Sequence, residues 1–107
     1  MLWAISCIDK PNSAALRDEQ QKAFQSYLKT HLKSQDGSQK GIIFFTARLL
    51  SDDGKENTGS LWIVNVNSRA EAKAFVDGAS FTKAGLFSSI TITRIRKGHL
   101  YPELGDE

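Results

Sequence analysis

The chain has 107 residues, which is enough for one domain with a modest core. Its 14 basic and 12 acidic residues leave a net charge of +2, too even a balance to indicate a nucleic-acid-binding protein. No run approaches the roughly 20 apolar residues of a membrane span, and the short apolar start lacks the basic flank of a signal peptide. We therefore expect a cytoplasmic protein with neither nucleic acid nor membrane as a partner.

The first third of the chain predicts a strand followed by a long helix. Leu2 to Ile8 is a short apolar run, typical of a buried strand, and Pro11 ends it because proline cannot continue a strand ladder. From Ala14 to about Ser34 the apolar residues recur at three- and four-residue steps, which indicates one face of a helix. The residues on that face are Leu16, Ala23, Phe24, Tyr27, Leu28, His31 and Leu32.

The rest of the chain predicts two strands, a second helix and a last strand. Ile42 to Leu50 and Ser60 to Val66 are rich in β-branched and aromatic residues, and the polar loop 51–59 between them indicates an antiparallel hairpin. Ser68 and Glu71 have the spacing of a capping box, which predicts the start of a short helix. Ser88 to Ile95 alternates isoleucine with threonine and predicts a strand with one solvated face.

The order strand, helix, strand, strand, helix, strand predicts a ferredoxin-like α+β fold, an antiparallel four-stranded sheet with both helices on one face. We expect the other face of the sheet to carry Trp62, Val64 and the aromatic residues of the second strand. An apolar face of that size needs cover, and a second copy would supply it. The sequence therefore predicts a homodimer through the sheet face, a dimeric α/β barrel.

Cysteine and histidine are scarce, which limits the chemistry available. Cys7 is the only cysteine and lies within the first apolar run, so we interpret it as a small buried hydrophobic residue and not as a nucleophile. His31 and His99 are the only histidines, and no metal-ligand spacing is present. We expect no metal and no cofactor.

Several segments in order give the chain a resemblance to the YciI-like (YCII-related) family of small α/β proteins. They are residues 1–5 followed by Asp9 and Lys10, Arg17 at the start of the first helix, the glycine-serine pair at 59–60 before Leu61, and the segment 75–86. On this basis residues 1–97 form the YciI-like domain and residues 98–107 a C-terminal tail. The tail is expected to be poorly ordered or to lie on a partner.

The resemblance also implies a difference in chemistry. Family members commonly carry a histidine and an aspartate as an acid–base dyad, and their places here correspond to Phe24 and Ala79. Neither side chain can accept a proton. Replacements are less favoured: His31 would lie about two helical turns beyond Phe24, Asp77 would face away from Ala79, and His99 belongs to the tail.

The resemblance still implies a ligand pocket in this chain. In dehydrochlorinase-type members the arginine and serine at the places of Arg17 and Ser60 help hold negative charge on a substrate oxygen. We expect a ligand pocket formed by Arg17, Phe24, Tyr27, Ser60, Ala79 and Phe81, for a small organic acid or phenolic molecule. Equally, Arg17 could pair with a nearby acid and Ser60 could simply begin a strand.

Three functions stay open on the sequence, and whether the chain is an enzyme is uncertain. The first is a binding protein for a small acidic or aromatic molecule, without dyad-type catalysis. The second is a lyase or isomerase, dehydrochlorinase-like, acting on a substituted aromatic or lactone with a reassigned base. The third is a structural or interaction module whose pocket is filled by its own side chains, which the bulk of Phe24 favours.

Overall fold

The computed structural model describes residues 1–31 and 42–105 of the chain. Four strands and two helices follow one another in the predicted order, with a short additional helix before the last strand. The elements are β1 (Leu2–Asp9), α1 (Ala14–Lys29), β2 (Ile43–Leu50), β3 (Asn57–Asn65), α2 (Arg69–Gly78), α3 (Ser80–Lys83), β4 (Phe87–Ile95) and a single 3₁₀ turn (Pro102–Leu104). None of the described helices is both long and apolar enough to cross a membrane.

The four strands form one antiparallel sheet in the order β2-β3-β1-β4, which confirms the predicted ferredoxin-like arrangement. β1 lies inside the sheet, between β3 and β4, so the first strand of the chain pairs with two strands far along the sequence. Its buried residues alternate with partly exposed ones, as expected for a strand with one covered face.

The core lies between the sheet and the helices. Trp62 of β3 stacks against Phe24 of α1 with ring centroids 5.1 Å apart, and it meets Phe75 of α2 edge-on at 5.7 Å. Both long helices therefore cover the same face of the sheet, as predicted. The capping box is also confirmed, because the Ser68 hydroxyl accepts a hydrogen bond from the Glu71 amide at 3.1 Å.

Trp62 and Val64 lie on the helix-covered face, so the prediction that they form the uncovered face is wrong. Only 1% of Trp62 and none of Val64 is exposed. The reason is the strand alternation: Ser60, Trp62 and Val64 share one face, and Leu61 and Ile63 point to the other.

The uncovered face is nevertheless apolar, with a different set of residues. Cross-strand pairs lie on the same face, so the register assigns the residues opposite Leu61 and Ile63 to it. Its partly or fully exposed apolar residues are Leu2, Ala4, Ile8, Phe45, Ala47, Leu49, Leu61, Ile63 and Ile95. Half of the Phe45 side chain is exposed, which supports the expectation that this face is covered by another copy.

Two predicted boundaries differ from the structure. α1 ends at Lys29 instead of near Ser34, and Thr30 caps it; residues 32–34 lie outside the described residues. The Thr30 hydroxyl donates to the Tyr27 carbonyl at 2.7 Å and so engages an acceptor near the helix end. β3 begins at Asn57 instead of Ser60, because its pairing with β2 extends to Leu50.

Candidate functional site

A cleft of about 480 Å³ opens between α1 and the β2–β3 hairpin, on the helix side of the sheet. We call it the aromatic cleft. α1 supplies Arg17, Asp18, Gln21, Phe24, Gln25 and Leu28, the hairpin supplies Thr46, Ala47, Arg48, Asn57, Ser60 and Trp62, and α3 supplies Phe81. A cleft of this volume is large enough for a single-ring organic molecule.

At the inner end of the aromatic cleft, Arg17 is held in a fixed orientation by two partners. Its Nε and Nη2 donate to the two carboxylate oxygens of Asp9, each at 2.8 Å, and Nη2 also donates to Ser60 Oγ at 3.0 Å. Only 3% of the Arg17 side chain and 7% of the Asp9 side chain are exposed. The bidentate geometry fixes the plane of the guanidinium, so that its remaining donors point in one direction.

Two groups of polar hydrogens beside Asp9 stay unused. Within the described residues, no hydrogen bond engages Arg17 Nη1, and the Ser60 hydroxyl accepts from Arg17 without donating to a carbonyl or carboxylate. Arg17 and Ser60 both line the aromatic cleft. An N–H pair and an O–H are the donors that would hold a negatively charged oxygen.

The backbone places these residues for simple reasons. Asp9 is the last residue of β1, Arg17 lies one turn into α1, and the turn at Asn12, with its positive φ of 60°, joins the two elements. Ser60 stands opposite Cys7 in the β1–β3 pair, near that end of the sheet. Gly59 permits this close pairing, because a Cβ there would overlap the main-chain oxygen of Cys7.

One wall of the aromatic cleft is a stack of three rings. Phe24 stacks on Phe81 with centroids 4.5 Å apart and on Trp62 at 5.1 Å, and the Arg17 guanidinium lies 4.7 Å from the Phe81 ring centre. Stacked rings offer an apolar surface on which a flat ligand can pack. Phe24 is 6% exposed, so it forms part of the wall and leaves the cleft open.

The structure brings four of the six predicted site residues together. Arg17, Phe24, Ser60 and Phe81 line the aromatic cleft. Tyr27 does not line it: its hydroxyl donates to the Phe75 carbonyl at 2.7 Å, and burial raises the pKa of the phenol.

Ala79 also lies outside the lining of the aromatic cleft and is fully buried. It connects α2 to α3 in an extended conformation. The next residue, Ser80, donates to the Gln20 carbonyl at 3.3 Å, so this connection packs against α1 one turn before Phe24.

Sequence reasoning missed Arg48 and placed Trp62 on the wrong face, and both line the aromatic cleft. Arg48 stands directly opposite Ser60 in the β2–β3 pair, which puts both side chains on the helix side. The spacing from Ser60 to Trp62 was a usable signal, since residues two apart in a strand share a face.

The titratable residues considered as replacements for the dyad lie elsewhere. His31 follows α1 and packs on Tyr27 at 4.4 Å, with Nδ1 2.8 Å from the Tyr27 carbonyl oxygen. Asp77 pairs with Lys73 on the exposed side of α2. His99 is exposed beside Tyr101. Within residues 1–31 and 42–105, no histidine lines the aromatic cleft.

Cys7 is the other buried reactive group near Arg17. Burial, with a smaller contribution from the Asp9 charge, raises the pKa of its thiol from 9.0 to about 12, against an opposing effect of Arg17. The thiol is therefore protonated at neutral pH and inaccessible, in agreement with its interpretation as a core residue. Among the described side chains, no group of three histidine, cysteine, aspartate or glutamate residues is placed to hold a metal ion.

Comparison with known proteins identifies the family. The model of the YCII-related domain matches residues 1–96, and the chain belongs to that family. A search of curated proteins gives no match. Among solved structures, the chain is similar to 5-chloro-2-hydroxyhydroquinone dehydrochlorinase (TftG) from Burkholderia phenoliruptrix AC1100, determined in complex with 2,5-dihydroxybenzoquinone. The two chains are 30% identical with a TM-score of 0.75, over 92% of this chain and 96% of TftG.

Proposed function

We propose that the chain binds a small acidic or phenolic ring compound in the aromatic cleft, without dyad-type catalysis. The observation that carries this function is the pairing of unused donors on Arg17 and Ser60 with the ring wall of Phe24, Trp62 and Phe81. A flat molecule packed on the rings would present an oxygen to the Arg17 Nη1 and Ser60 hydroxyl hydrogens. The ligand bound by TftG, a ring with several oxygens, has this character.

The charge of Arg17 is only partly available to a ligand, because Asp9 compensates it. The interaction would therefore rest on directed hydrogen bonds more than on net attraction. That arrangement favours a group such as a phenolate, in which the negative charge is shared between an oxygen and the ring that carries it. It leaves the ligand without an adjacent imidazole to remove a proton.

The experiment is a binding titration with 2,5-dihydroxybenzoquinone, monitored by calorimetry and by tryptophan fluorescence. We expect saturable binding to the unmodified chain. Ser60→Ala removes one donor, leaves the ion pair of Arg17 and Asp9 intact, and should weaken binding about tenfold or more. Ser26→Ala, at an exposed position on α1, is the matched control and should bind like the unmodified chain. No saturable binding, or equal binding by Ser60→Ala, would refute the proposal.

A second candidate function is that of a lyase or isomerase of the dehydrochlorinase type. The similarity to TftG over nearly the whole of both chains favours it. The general base would have to come from a residue other than Phe24 or Ala79, or from the substrate. Release of chloride from 5-chloro-2-hydroxyhydroquinone, faster than in buffer and reduced by Ser60→Ala, would establish this function in place of simple binding.

The third function considered from the sequence, a module with a filled pocket, receives no support. Phe24 packs into the wall between Trp62 and Phe81, and the aromatic cleft beside it stays open.

A further inference from the structure

A second hollow, of about 580 Å³, adjoins the aromatic cleft at the end of the β2–β3 hairpin. We call it the hairpin hollow; it is lined by Ala47, Arg48, Leu50, Gly54, Lys55 and Asn57. Three of these residues, Ala47, Arg48 and Asn57, also line the aromatic cleft. The two spaces therefore lie side by side, and we call them together the groove.

The hairpin hollow differs in charge from the rest of the groove. Its lining contains two cations, Arg48 and Lys55, and no acid. Neither cation makes an ion pair with another described residue. By contrast, Arg17 at the inner end of the aromatic cleft is paired with Asp9. Among the described residues, the cations of the groove that lack an ion-pair partner therefore lie at its hairpin end.

The acid of the hairpin turn closest in sequence to Lys55 on its N-terminal side, Asp53, is engaged within the turn itself. Asp53 accepts hydrogen bonds from the Ser51 hydroxyl at 2.7 Å and from the Lys55 amide at 3.0 Å, which ties its carboxylate into the turn. These bonds lower the pKa of Asp53, so it is ionised at neutral pH while it holds the turn. Glu56 lines an adjoining hollow near the start of α1, which shares Lys55 and Asn57 with the hairpin hollow but does not include Arg48.

From this arrangement we infer that Arg48 is a specificity residue for a carboxylate carried by the ring compound. The inference rests on the proposed function, because the ring would occupy the aromatic cleft while its carboxylate extends into the hairpin hollow. Arg48 lies directly across from Ser60, so one ligand can contact the Ser60 hydroxyl and the Arg48 guanidinium together. A guanidinium suits a carboxylate because it can donate two parallel hydrogen bonds. The ligand class is thus an oxygenated aromatic ring with a short acidic side chain.

A matched pair of probes tests this inference by isothermal calorimetry. The first probe is (2,5-dihydroxyphenyl)acetate, and the second is its primary amide, which has nearly the same shape and no charge. For the unmodified chain we expect the acid to bind about five- to tenfold more tightly than the amide at low salt. The difference should shrink in 300 mM salt, because exposed charges are screened.

The variants separate Arg48 from general electrostatic attraction. Arg48→Gln should bring the acid and the amide to equal affinity and leave the affinity of the amide unchanged. Arg94→Gln is the control: it removes the same charge from β4, where Arg94 lines a hollow away from the groove. It should preserve the preference for the acid. Arg48 is exposed, so these variants are expected to fold, and circular dichroism would verify it.

The outcomes distinguish this inference from the proposed function. Amide binding without a preference for the acid, or a preference that survives Arg48→Gln, overturns the role of Arg48 and leaves the proposed function in place. Binding of the acid alone, lost in Arg48→Gln, supports Arg48 and overturns the ring-oxygen contacts of Arg17 and Ser60. Binding of neither probe overturns the role of Arg48, and the titration with 2,5-dihydroxybenzoquinone decides the proposed function.

Discussion

Arg17 is positioned by an ion pair that lies almost fully inside the molecule. A buried pair of this kind adds little net stability, because removing both charges from water costs about as much as their attraction returns. Its value here is geometric: Asp9 occupies one edge of the guanidinium and leaves the other edge facing the aromatic cleft. Arg17 can therefore pair with a nearby acid and contact a ligand at the same time, so the two interpretations of this residue are compatible.

The buried thiol of Cys7 predicts a stability that falls in alkaline solution. Its pKa is about 12 in the folded chain and 9.0 otherwise, so above pH 9 the unfolded chain loses a proton that the folded chain retains. Ionisation then favours unfolding by about 1.4 kcal/mol per pH unit. Between pH 8 and pH 10.5 we expect the free energy of unfolding of the unmodified chain to fall by up to about 2 kcal/mol more than that of Cys7→Ala.

Urea denaturation under reducing conditions measures this difference. All other ionisable groups are the same in both proteins, so Cys7→Ala serves as the control that cancels them. Parallel pH profiles for the two proteins would show that the thiol is not shielded in the folded chain.

At the scale of elements, the contact between α1 and the α2–α3 connection determines whether a histidine–aspartate pair can be introduced at the places of Phe24 and Ala79. Phe24 stacks on two rings, and Ala79 is fully buried. Ala79→Asp places a carboxylate where no water reaches, and we expect it to lower the free energy of unfolding by about 3 kcal/mol or more. Adding Phe24→His should recover part of that loss only if the two side chains form a hydrogen bond.

Thermal unfolding of both single variants and of the double variant tests this expectation as a double-mutant cycle. Asp77→Ala, on the exposed side of α2, is the control and should have an effect below about 0.5 kcal/mol. If the double variant were as stable as the unmodified chain, the expectation would be wrong. The space between α1 and α3 would then be large enough to hold both new side chains.

The element order and the capping box of α2 could be predicted from the sequence, since hydrophobic periodicity and cap chemistry are local signals. The end of α1 could not, because the apolar periodicity of the sequence continues to His31 and Leu32 although the helix ends at Lys29. The face of Trp62 is a tertiary property: alternation groups Trp62 with Ser60 and Val64, and only packing decides which side the helices cover. Arg48 was missed because its register depends on where the hairpin turns and on the irregularity between Ile43 and Phe45.

At the scale of the whole molecule, the uncovered sheet face predicts association. A chain of 11.9 kDa that exposes Phe45, Leu49, Leu61 and Ile63 on one face should form a homodimer at micromolar concentration. Ile63→Glu introduces a charge at the middle of that face and should shift the chain towards the monomer. Light scattering coupled to size exclusion measures the mass.

Ala74→Glu is the control for the association experiment, because it adds the same charge to an exposed position on α2. It should leave the mass unchanged. A monomeric mass for the unmodified chain at micromolar concentration would remove the proposed dimer, and with it the expectation that the tail lies on a second copy.

The place of β1 inside the sheet has a consequence for synthesis of the chain on the ribosome. β1 is made before either of its neighbours, because its partner β3 begins only at Asn57 and its partner β4 only at Phe87. Until then the apolar residues of β1 have no neighbouring strand with which to pair, and they stay accessible to non-native contacts. We expect this fold to form after β4 leaves the exit tunnel, in one late step, because pairing of distant strands requires closure of long loops.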